Sequence, residues 1–419
     1  MKNYLILLLL FSSTFFACQK DDSLLEDEVE VPEDAPYIEY EGLKLVVTYT
    51  DNNIVELREP HSDRIDTLFT EEEGTKVIHE LGPKIANAMV YSENTVYGIF
   101  TGLDLHMNHY HTYPPAIKVT TSTPQLDNPD WSDFQAIWRS KESGNLFNLG
   151  AEDILNGGQA KEIELNHHQK AGVNTPYLSS GFGDNYYLLI NDQNQLDLYN
   201  VGTEEIDKSY KEFNEIYSAN TYAVNWDENY GLVSTDQGVF TFVFKNEGDW
   251  SNPEIVMYEK MLDYPEDNVK FDQLIYRKYY NGSATIKIAL GIDNEKGIYK
   301  IDVEEGKIKK VVDVENIKAF EINYMMSMLY VLSEDQKFVA YDLGTFIPVN
   351  STTVNEDLSE NVRVAVSEKF AYVHTGNNTY INVYGAKNMI PYTPIETNNK
   401  ISDIGTFGNM IELPIDNHD

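Results

Sequence analysis

The chain has 419 residues, with 31 Lys and Arg against 68 Asp and Glu, a formal net charge of -37. A surface this acidic repels phosphate backbones and excludes nucleic-acid binding, while it concentrates cations and basic partner surfaces. The single cysteine excludes any internal disulfide.

The first element is a secretory signal over residues 1–17, with one lysine, an apolar run from Tyr4 to Phe11 and small residues before Cys18. It is too short for a spanning helix, which needs roughly 20 apolar residues. Phe15-Phe16-Ala17-Cys18 resembles a bacterial lipobox, which makes Cys18 the predicted lipidation site and attaches the mature chain to a membrane. Gln19-Lys20-Asp21-Asp22-Ser23 is similar to the acidic export signal of surface lipoproteins in Bacteroidetes-type bacteria. That similarity implies display on the outer membrane, with a periplasm-facing position as the alternative. Residues 18–36 then form an acidic flexible tether.

Residues 37–419 carry no Pro/Gly/Ser linker or composition break, which predicts one domain. Within it, short alternating runs rich in β-branched and aromatic residues recur with polar turns between them. The clearest copies start at Ala319 and Val362, with others near Tyr177, Ala219 and Phe271, and less regular ones near Asn87 and Phe134. A spacing of about 40 to 50 residues is that of a four-stranded propeller blade. Leu43 to Phe69 supplies about three more strands, and "ISDIGTFGNM" from Ile401 supplies a fourth. The predicted fold is therefore all-β, a β-propeller of seven or eight four-stranded blades closed by its N- and C-terminal strands. Met325, Met326 and Met328 are expected to pack between blades, as adaptable sulfur side chains do.

Nine histidines occur in the chain, and three of them fall within "LHMNHYHTYPP" at Leu105–Pro115. His106, His109 and His111 lie after the strand "TVYGIF", and His167-His168 follow the strand "KEIEL". Neutral imidazoles suit zinc, which takes nitrogen ligands at about 2.0 Å in a tetrahedral set. Read as a loop, the first group offers two or three ligands, and Pro114-Pro115 reduces the entropy lost on closing around an ion. Asp104 is a candidate ligand or an outer acceptor that fixes an imidazole tautomer. If the two segments meet at one mouth of the axial channel, five imidazoles converge. His61, His79, His374 and His418 are isolated and read as surface or core residues.

The order of features from Tyr91 to Tyr187 resembles the AztD-type zinc metallochaperones, bacterial β-propellers that hold zinc and pass it to an importer. "VYGIFTGLDLHMNHYH" is similar to that family's strand and His-rich loop. "FQAIWRSKESGNLFNLGAEDIL" is similar to its next blade, and "IELNHHQKAGVNTPYL" to its paired-histidine segment. The resemblance implies zinc ligation by His106, His109, His111, His167 and His168. Gln169 stands where the family usually has glycine, and "EIYSANTYAVNW" lacks the family's His-Gly and cysteines.

The expected function is capture of zinc, or a related divalent ion, and its delivery to a metal transporter or outer-membrane receptor. A second reading is a surface propeller that binds an organic nutrient (siderophore, haem or cobalamin) or a host protein. No nucleophile elbow, phosphate loop or Ser/His/Asp set is present, so the chain is not expected to be an enzyme.

Overall fold

The computed structural model describes residues 43–408, apart from intervening segments of which 79–86, 151–158, 164–176 and 248–254 are the longest. Every regular element among the described residues is a β-strand. The first sheet begins with β1 (Leu43–Tyr49), β2 (Ile54–Arg58) and β3 (Ile65–Phe69). The second begins with β4 (Lys76–Ile78), β5 (Asn87–Tyr91) and β6 (Thr95–Phe100). A separate two-stranded ribbon follows, β7 (Leu103–His106) and β8 (His109–Thr112), before β9 (Ala116–Ser122) completes the second sheet.

The third sheet is β10 (Leu126–Trp131), β11 (Gln135–Ser140), β12 (Leu146–Gly150) and β13 (Lys161–Ile163). The fourth is β14 (Tyr177–Ser179), β15 (Asn185–Ile190), β16 (Gln195–Asn200) and β17 (Glu205–Glu212). The fifth is β18 (Ile216–Asn225), β19 (Glu228–Thr235), β20 (Gly238–Asn246) and β21 (Ile255–Leu262). The sixth is β22 (Gln273–Tyr280), β23 (Thr285–Asp293), β24 (Gly297–Asp302) and β25 (Lys307–Val312). The seventh is β26 (Ile317–Asn323), β27 (Met328–Ser333), β28 (Lys337–Asp342) and β29 (Pro348–Thr353). The eighth is β30 (Arg363–Val366), β31 (Phe370–His374), β32 (Tyr380–Gly385) and β33 (Pro391–Glu396). Finally β34 (Ile401–Gly408) returns to the first sheet and pairs antiparallel with β1.

The protein is a β-propeller, and its sheets are meandering antiparallel units stacked face to face. Each described core lies between consecutive sheets. Leu232, Phe271 and Tyr299 fill the space between the fifth and sixth, Ile292, Leu329 and Val331 that between the sixth and seventh, and Tyr330, Phe338 and Val373 that between the seventh and eighth. Leu45, Val47, Tyr372, Ile381 and Ile404 join the eighth sheet to the first. A central strand is thus covered on both faces, so its sequence is a continuous apolar run instead of an alternation. "MLYVLS" of β27 is buried at every position, whereas the outermost β29 is almost wholly exposed. Met326 and Met328 pack in the core between the seventh and eighth sheets, while Met325 lies outside the described residues.

Polar side chains on strands at one edge of each sheet tie neighbouring sheets together. Ser218 Oγ donates to the Phe271 carbonyl at 2.7 Å, and the Tyr276 amide donates to Asn220 Oδ1 at 2.9 Å. Asn323 Nδ2 donates to the Ser367 carbonyl at 2.8 Å, and Thr406 Oγ1 to the Val366 carbonyl at 3.1 Å. Each bond satisfies a buried backbone group that has no ladder partner on that side. Turns between strands are closed locally, as where Asp293 Oδ1 accepts from the Glu295 and Lys296 amides, both at 3.0 Å.

Two sheet starts differ from the sequence reading. The second sheet begins at Lys76, not near Asn87, because β4 is only three residues long and carries no readable alternation. The third begins at Leu126, not near Phe134. Its first strand, "LDNPDW", has a proline at a register shift between Asp127 and Asp130, the bulge position where a sheet tolerates a missing N–H.

Candidate functional site

The segment that reads as a histidine loop is a β-ribbon. Its register pairs Leu103 with Thr112, Asp104 with His111, Leu105 with Tyr110, and His106 with His109. Residues directly opposite in an antiparallel pair share a face, as do residues two apart along one strand. Asp104, His106, His109 and His111 therefore lie on one face of the ribbon, and Leu103, Leu105, Tyr110 and Thr112 lie on the other. The register sets position 106 opposite position 109 and position 104 opposite position 111.

His167 and His168 lie outside the described residues. Their segment runs from β13, the fourth strand of the third sheet, to β14, the first strand of the fourth. The ribbon instead connects the third and fourth strands of the second sheet. Strands alternate in direction within each sheet, so these two kinds of connection start from opposite ends of the strands. The expected meeting of the two segments at one mouth rests on residues 164–176, which lie outside the described residues. The ribbon's own sequence carries three histidines and one aspartate, residue types that zinc accepts.

Among the described side chains, no group of three or more His, Cys, Asp or Glu is placed to hold a metal ion. The other polar concentration is a solvent-open cleft of about 610 Å³ between the seventh and eighth sheets, lined by Gln336, Asn355, Glu356, Asp357, Asn378 and Tyr380 among others. Glu356 is locked in its wall. Its Oε2 accepts from Thr375 Oγ1 at 3.1 Å and Asn378 Nδ2 at 2.8 Å, and its Oε1 accepts from Asn382 Nδ2 at 3.1 Å. Burial, and then the Glu356 carboxylate, raise the Tyr380 hydroxyl above its ordinary range, and the same two causes push Tyr384 up to about 12. This cluster joins residues of three separate segments and has no signal in the sequence.

Of the isolated histidines, His61, His79 and His418 lie outside the described residues. His374 is a core residue, fully buried at the end of β31.

No protein-family model matches the chain, and no curated protein matches it. Solved structures do. Apo AztD from Citrobacter koseri is 14% identical, with 87% of this chain and 98% of that one covered and a TM-score of 0.68. A second Citrobacter koseri AztD structure covers the same shares at 14% identity with a TM-score of 0.69. The fold is that of an AztD-like β-propeller. The dihydro-heme d1 dehydrogenase NirN in complex with DHE is more distant, at 13% identity and a TM-score of 0.51 over 90% of this chain and 77% of that one. At these identities the likeness establishes architecture, and activity has to be argued from the residues.

Proposed function

We propose that the protein is a lipid-anchored, non-enzymatic metal-binding propeller that captures zinc, or a related divalent ion, and hands it to a transport system. The observation that carries this reading is the ribbon register, which sets His106, His109, His111 and Asp104 on one face. The net charge of -37 draws cations toward the protein, and neutral imidazoles then take them up. Three imidazoles with one carboxylate leave an exchangeable fourth position whenever the carboxylate stays in the outer shell, which suits a carrier that must release its cargo. Because only unprotonated imidazole binds metal, affinity falls as pH drops below about 6.5.

Calorimetric titration of zinc into the mature protein, prepared without a histidine tag, tests this. Replacing His106, His109 and His111 together with alanine is expected to weaken binding by at least about a hundredfold, since even outer-shell losses cost roughly 10- to 100-fold. Replacing His167 and His168 is expected to cost less. Unchanged zinc affinity in the triple variant overturns the reading. Copper(II) is expected to compete, as imidazole sites follow the usual divalent order.

The anchor belongs to the same proposal. Cys18→Ser is expected to move the protein from the membrane fraction to the soluble fraction and to abolish incorporation of labelled palmitate. Membrane retention of the variant would remove the lipid anchor, and with it the outer-membrane surface location, from the proposal.

A further inference from the structure

The eighth sheet meets the first beside a histidine that has nothing to hold. His374 is 0% exposed, and neither Nδ1 nor Nε2 has a partner in hydrogen-bonding geometry. Its position in β31 is opposite Arg363 of β30. A neutral imidazole has one donor and one acceptor, and burying both unsatisfied costs free energy that a phenyl ring of similar shape would not.

The groups around it are acceptors. Asn378, whose Oδ1 is buried and also lacks a partner, approaches from the turn after β31, and Tyr380 contributes backbone from the start of β32. Across the junction, β34 contributes the Ile401 backbone and the Asp403 carboxylate. Asp403 is held by Arg363, its Oδ1 3.2 Å from Nε, and Glu356 stands behind Asn378. The charged groups nearest the imidazole are thus Arg363, opposite it in β30, Asp403 from β34, and Glu356 through Asn378.

We infer that His374 is an acid-sensitive latch: it stays neutral while the eighth sheet and β34 are closed on each other, and proton uptake opens that junction. An imidazolium has two donors and a charge, and none of the surrounding acceptors is in bonding geometry for either N–H. Satisfying them requires either water or movement of β34 and of Asn378, which are joined by the bond from the Ile401 amide to the Asn378 carbonyl at 3.2 Å. Burial is the largest influence on the ring and lowers its pKa, and Asp403, Asn378 and the two backbone groups oppose it without reversing the direction. The sign follows. Between the ordinary value near 6.5 and the lower folded value, the unfolded chain binds more protons than the folded one, so stability falls as pH falls through that window. This inference is independent of the metal reading.

Two measurements on the full mature chain decide it. Urea unfolding at pH 7.5 and pH 5.5 gives the acid-induced rise in the unfolding constant. In His374→Gln this rise is expected to be smaller than in the natural protein by up to about tenfold per pH unit within the window. Deuterium exchange at the imidazole C2 position, read residue by residue by mass spectrometry, is expected to give His374 a midpoint below 6.5 and slow exchange. Equal acid dependence of the two proteins, or a midpoint at or above 6.5, overturns the latch. If the glutamine variant does not fold, the exchange midpoint of the natural protein decides alone.

Discussion

Ending the chain after Asn399 is expected to leave no cooperatively folding protein. The deletion removes β34, which pairs with all of β1 from Leu43 to Tyr49. It also takes Ile401 and Ile404 from the core between the eighth and first sheets, and Phe407 from that between the first and second. Each is buried to 3% exposure or less. At about 1.5–3 kcal/mol per buried side chain, these three alone contribute roughly 5–9 kcal/mol. A domain has only about 5–15 kcal/mol of net stability in total. The loss also uncovers the edge of a strand in which Leu45, Val46, Val47 and Tyr49 are all fully buried, and a long apolar edge is an aggregation site. The expected result is insoluble material, or soluble protein without a cooperative urea transition. A truncated chain that unfolds at the natural midpoint would refute the idea that the terminal strand holds the architecture together.

The regions that can be read from sequence alone are those where the physics is local. From the fourth sheet onward, strands covered on both faces give dense apolar runs separated by Asx and glycine turns, so their starts near Tyr177, Ala219, Phe271, Ala319 and Val362 fall within a few residues of β14, β18, β22, β26 and β30. The sharing of one sheet by Leu43–Phe69 and Ile401 onward is legible because three strands are left over at one end of the chain and one at the other. The starts of the second and third sheets are not. "KVI" is too short to show a period, and "LDNPDW" carries a proline that reads as a turn until a bulge is known to absorb it.

The histidine segment reads as a loop for a related reason. "LDLH" and "HYHT" do alternate, but the polar half of the alternation is Asp104 and three histidines, and such a cluster of polar residues has the composition of a connection. The burial of His374 is foreshadowed by its place at the end of the apolar strand "FAYVH". Its lack of partners is not, because the groups around it come from β34 and from the turn after β31. Long-range juxtapositions such as Glu356 with Asn382, or Arg363 with Asp403, leave no mark on either segment.

Asp403→Ala is expected to be the most damaging single substitution among the polar residues named above, costing roughly 2–4 kcal/mol. The residue is 2% exposed and connects three sheets. Its Oδ2 accepts from the Val77 amide of the second sheet at 3.1 Å. Its Oδ1 accepts from Arg363 Nε of the eighth at 3.2 Å and from the Ile404 amide of its own strand at 2.9 Å. Alanine leaves the buried Val77 and Ile404 amides without acceptors, and the penalty for stranding such donors exceeds the net worth of the bonds themselves. An asparagine side chain is nearly isosteric with the carboxylate but can turn only one oxygen toward three donors, so Asp403→Asn is expected to lose most of the same stability. Arg363→Ala should cost less. The guanidinium side chain is 41% exposed, so water screens its ion pair, and the two backbone amides still satisfy the carboxylate after it is gone. Urea midpoints for the three variants test this order. If Asp403→Asn were as stable as the natural protein, the carboxylate would be a bystander, and the join between the second, first and eighth sheets would rest on apolar packing alone.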